Sequence, residues 1–138
     1  MTKKELSQLY HLNREIKHQK KRLEELETIA TNMSANITGL PKSTATKDRI
    51  SKYAVEIADL KSLIELNIQK CFYELNRLNR YINSVDDSLM RQILTYRYIN
   101  SLSWQQVAFT IGENDESYPR QKHDKFLKLT EKTELNLL

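Results

Sequence analysis

RQILTYRYINSLSWQQVAFTIG, residues Arg91–Gly112, decides how this chain is organised. An amphipathic helix is predicted over Asp86–Ile99. Asp86, Asp87 and Ser88 supply caps and negative charge at its start. Leu89, Ile93, Leu94, Tyr96 and Tyr98 form its inner surface, and Asn100–Ser101–Leu102 reads as a tight turn. Ser103 is a good N-cap, and Gln106 three residues on completes a capping box, so a second short helix starts there. Trp104, Val107, Ala108 and Ile111 make its inner face. Gly112 stops it, since glycine accepts positive φ at little cost.

A third helix is predicted from Ser117, its expected N-cap, with Pro119 in the first turn where a missing N–H costs nothing. His123, Phe126 or Leu127, and Thr130 face inward. Short helix, tight turn and polar basic helix is the layout of a helix-turn-helix, whose last helix is offered to the major groove of DNA. The candidate DNA-facing residues are Gln105, Gln106, Ser117, Tyr118, Arg120, Gln121, Lys122, Asp124, Lys125 and Lys128. Arginine grips guanine edges with two bonds, glutamine does so for adenine, and lysine suits phosphate. Gln105 and Gln106 stand at a helix start, where backbone phosphates are favoured.

Upstream, a helix is predicted from Lys3 to Met33. Leu9, Ile16, Leu23 and Ala30 repeat every seven residues, and Leu12, Leu26 and Met33 make a second series that Gln19 interrupts. Arg14, Lys17, Lys20, Lys21 and Arg22 cluster on the outer face, which reads as a solvated surface. Ser34–Lys47, with Gly39 and Pro41, reads as a loop. Thr46 or Asp48 is the expected cap of a second long helix, about Asp48–Asn83, carrying Ile50, Ile57, Ile64, Cys71 and Leu78 with Tyr53 and Leu60. Asn67 and Glu74 interrupt its matching series, and Ile68, Leu75 and Ile82 show the stripe drifting, as it does on a nearly straight helix. The expected fold is all-α: a long antiparallel, coiled-coil-like helical hairpin over residues 1–85, then a helix-turn-helix module over residues 86–138. Leu6, Leu63, Leu66 and Phe72 lie off the main seam, which predicts self-association of the hairpin as a homodimer.

Composition narrows the alternatives. Two Gly and two Pro in 138 residues are too few for a β-rich chain. Lys and Arg total 22 against 18 Asp and Glu, a modest excess. Its placement is more informative: residues 117–132 hold five basic side chains against Asp124 and Glu131. The acids gather at Asp86–Asp87 and Glu113–Glu116. The lone Cys71, the absence of a membrane-length apolar run and a polar N-terminus predict a cytoplasmic protein with no membrane partner. No phosphate loop, metal-ligand cluster or nucleophile–base pairing stands out, so no enzyme, cofactor or metal is expected. His123 reads as a core residue, and His11 and His18, seven apart, are too far for a metal pair on one helix.

LMRQILTYRYINSLSWQQVAFTIG (Leu89–Gly112) resembles region four of bacterial sigma factors and its phage-borne relatives. It is most similar to small phage and prophage proteins of the ArpU/RinA type, late transcription regulators in which a coiled-coil half precedes a sigma-like module. SYPRQKHDKFLK (Ser117–Lys128) adds to that likeness, which covers about the last 50 residues. By position, the resemblance makes Trp104 and Ile111 core and Ser117, Arg120, Gln121 and Lys125 DNA-facing. It implies a sequence-specific regulator of late phage genes with double-stranded DNA as partner. Two other readings stay open: a small terminase-like DNA-packaging subunit, and a sigma-like module that binds RNA polymerase. The segment Glu113–Pro119 departs from the sigma pattern in being one residue longer and acidic.

Overall fold

The computed structural model describes residues 1–35 and 44–137, with side chains described at 1–33 and 47–137. No strand occurs among the described residues, and the chain is all-α. The elements are α1 (Lys3–Leu6), α2 (Gln8–Ala35), α3 (Thr44–Ser84), α4 (Ser88–Leu94), a π-helical turn (Thr95–Ile99), α5 (Trp104–Thr110) and α6 (Ser117–Leu137). Gly39 and Pro41, expected in a loop, lie outside the described residues. Residues 46 and 48 fall inside α3, so neither caps it; the helix starts earlier than the sequence pattern suggested.

Two compact units form, and they do not divide at residue 85. One joins Met1–Leu12 to Cys71–Leu138; the other is Asn13–Lys70. In the second unit, α2 and α3 run antiparallel: Gln19 meets Asn67 and Arg22 meets Glu56, so positions later on one helix face positions earlier on the other. The seam is the one the heptads describe. Ile16, Leu26 and Ile64 are buried, while Leu23, Ala30, Ile57 and Leu60 are half-buried. The two residues that interrupt the apolar series meet one another: Asn67 Nδ2 donates to Gln19 Oε1 at 3.0 Å, and Asn67 is only 3% exposed. A buried amide that finds its partner in one register only is how polar seam positions specify alignment.

The first unit is built on a core of Leu6, Leu9, Leu78, Ile82, Val85, Met90, Ile93, Leu94, Tyr98, Val107 and Leu127. Leu6 is fully buried, although it lies off the heptad seam. Its helix is fixed locally: Thr2 Oγ1 accepts from Glu5 N and Glu5 Oε2 accepts from Thr2 N, a capping box at the very start of the chain. Helix continuity breaks for one residue at Ser7, whose hydroxyl donates back to Lys3 O at 2.8 Å. Arg77 Nη2 donates to Glu5 O, tying the same segment to the end of α3. The N-terminal residues thus belong to the core that carries the helix-turn-helix.

Candidate nucleic-acid interface

Each piece of the helix-turn-helix is set by a local bond. Asp87 caps α4 by accepting from Leu89 N at 2.9 Å. The helix then widens into the π turn, and Ser101 takes φ +57° as the chain turns. Ser103 and Gln106 exchange the two bonds of a capping box at the start of α5. Gly112 ends the segment at φ +86°. The expected cap of α6 is displaced: Ser117 is its first helical residue. The Asp115 carboxylate accepts both the Ser117 amide at 3.0 Å and its hydroxyl at 2.6 Å. Those bonds hold the Asp115 carboxyl below the usual carboxylate range. One charge of the acidic turn therefore serves to start α6.

Inside the module, α6 presents His123, Leu127 and Pro119, all buried. His123 is fully enclosed, 4.9 Å from the Trp104 ring centre and hydrogen-bonded to the Tyr98 hydroxyl. Asp124 Oδ1 lies 2.9 Å from His123 Nδ1. A carboxylate only accepts, so Nδ1 carries the proton and Nε2 accepts from Tyr98. Burial holds the His123 imidazolium below its ordinary value; Asp124 opposes this, and the Lys3 and Arg97 charges add to it. Burial likewise pushes the Tyr98 hydroxyl up to about 12, keeping it a donor.

The opposite side of α6 is open. Arg120, Gln121, Lys125 and Lys128 are exposed, as are Gln105 and Gln106 on α5. Gln121, Lys125 and Lys128 follow one another at helical spacing, forming a cationic stripe away from His123 and Leu127. The remaining sequence candidates are half-buried and tied into local structure. Asp124 holds His123, Ser117 donates to Asp115, and the Lys122 ammonium stands 5.4 Å from the Tyr118 ring centre. Gln106 Oε1 is occupied by the capping box. Arg97, which the sequence did not single out, is held by Leu102 O at 2.9 Å and stacks over Trp104 at 4.8 Å. Among the described residues there is no group of three or more His, Cys, Asp and Glu that would hold a metal, and no helix is long and apolar enough to cross a membrane. No family model, curated protein or solved structure matches this chain.

Proposed function

We propose that this chain is a sequence-specific DNA-binding transcription regulator that reads duplex DNA with α6. The observation that carries the reading is the exposed stripe Gln121, Lys125 and Lys128, flanked by Arg120, on a helix whose other side is locked into a three-helix core. Such a helix presents a preformed backbone, so binding has only the exposed side chains left to order. The regulatory role, and its assignment to late phage genes, rest on the resemblance of Leu89–Gly112 to sigma region four. We further propose that α3 supports a homodimer. Val55, Leu63 and Leu66 are 60%, 45% and 47% exposed, and Val55 and Leu66 lie on the side of α3 opposite Ile64.

Selection from a randomised duplex pool tests the reading. The wild-type protein enriches a short motif, and Gln121→Ala relaxes it at one or two positions while retaining binding. Enrichment of no motif overturns sequence-specific recognition. For the dimer, Leu66→Lys gives a monomer in sedimentation velocity where the wild type does not; a wild-type monomer at micromolar concentration removes the dimer.

A further inference from the structure

A cleft of about 410 Å³ opens within the first unit, between the N-terminal segment and the turn leading into α5. Its walls carry Lys3, His11, Arg97, Ser101, Ser103 and Gln106, and no carboxylate lines it. Apart from Lys3, His11 and Arg97, the polar groups on its walls are hydroxyls and the Gln106 amide. Neither Lys3 nor Arg97 has a carboxylate partner among the described residues, and both raise the positive potential felt at His123.

Arg97 is arranged as an anion-binding arginine. Its side chain is fixed from two directions, by the Leu102 carbonyl and by the Trp104 ring, while one hydrogen bond leaves the rest of the guanidinium fork unspent. A stacked, pre-positioned guanidinium loses little freedom when it binds an oxyanion. The Ser101 side of the cleft is fixed as well. Ser101 is the one non-glycine with positive φ among the described residues. The Leu102 amide donates to the Tyr96 carbonyl at 3.0 Å across it, the closure of a helix end, so the turn that carries Ser101 is held in place before any ligand arrives.

We propose that this cleft binds a phosphate group: Arg97 supplies the paired donors, Lys3 a second charge, His11 a ring N–H, and Ser101 and Ser103 hydroxyl donors. The site is separate from the α6 stripe and does not depend on the reading of that helix. The phosphate belongs either to a nucleic-acid backbone or to a small free ligand, and the two sources are separable.

The test is an NMR titration of the full-length protein, following the Arg97 Nε–H and His11 ring signals. One arm adds inorganic phosphate against sodium chloride of equal ionic strength; the other adds a short random-sequence duplex to the phosphate-loaded protein. Phosphate produces saturable shifts at both residues, and Lys3→Gln weakens the affinity about tenfold, the loss expected for one charge-assisted contact. Lys3 is exposed, so that variant keeps the fold. Arg97→Lys, which keeps charge but loses the fork, weakens it as well. Displacement of phosphate by the duplex assigns the site to a nucleic-acid backbone; no displacement assigns it to a free phosphate ligand. Shifts that match the chloride control in both arms, or an affinity unchanged in both variants, overturn the proposal.

Discussion

Leu6 offers a sharp test of how the helix-turn-helix is held. It sits in a four-residue helix at the start of the chain, yet it is completely buried against the core that includes Leu78, Ile93 and Leu94. Leu6→Ala removes three buried carbons and leaves a cavity walled by α3 and α4 residues that have little room to collapse. Leucine-to-alanine changes at such sites cost about 3–4 kcal/mol. With a urea slope of about 2 kcal/mol per molar for a domain of this size, the midpoint falls by roughly 1.5–2 M. Trp104 is the single tryptophan and packs against His123, so its fluorescence reports this unit specifically. Leu129→Ala is the matched control: 58% exposed on α6 in the same unit, it shifts the same transition by no more than about 0.5 kcal/mol. A Leu6→Ala shift as small as that of Leu129→Ala refutes the claim that the N-terminal residues are part of the module's core.

Three further outcomes follow from particular residues. His123 is held neutral in the folded protein and has an ordinary value of 6.5 when unfolded. As pH falls through 6.5 the unfolded state takes up the proton first, so stability is lost, and the loss levels off once pH passes the lower folded value. The urea midpoint read from Trp104 fluorescence therefore drops as pH falls through 6.5, and His123→Asn flattens that slope. In the hairpin, Asn67→Ala strands the Gln19 amide and costs about 1–3 kcal/mol by circular dichroism melts. The double change Gln19→Leu with Asn67→Leu recovers that stability, but sedimentation equilibrium shows more than one oligomeric state. Gly112→Ala costs about 1 kcal/mol in the same melts, from the backbone alone, because a Cβ there meets nothing within 4 Å while φ stays at +86°.

What the sequence revealed is what periodicity and capping encode. The heptad positions Ile16, Leu26 and Ile64 are buried, Ser103 and Gln106 form the expected box, and Gly112 turns with positive φ. These features are local: each is written in residues within a turn or two of one another. The misplaced features depend on distance or on competition. Leu6 reads as an off-seam residue left for self-association because the core it joins, with Leu78 and Leu94, lies more than 70 positions away. Gln19 and Asn67 each looked like a flaw until paired across the hairpin. Ser117 and Asp115 both have capping side chains, and the carboxylate two residues earlier prevailed because it accepts two bonds at once. The π turn at Thr95–Ile99 leaves no mark in an apolar pattern that suits an α-helix equally well. The exposed side of α6 was legible, since His123 and Leu127 define its inner face by spacing.

The salt dependence of duplex binding is the most direct measurement of the central claim, that the outer side of α6 is a working DNA surface. Anisotropy of a labelled duplex, read over a series of salt concentrations, counts the phosphates neutralised. Wild-type binding weakens linearly with log salt, and Lys125→Gln with Lys128→Gln makes the slope shallower by roughly 2, about 0.9 for each phosphate that is no longer neutralised. Wild-type protein that does not retain the duplex at low salt, or a double variant with an unchanged slope and affinity, contradicts that claim.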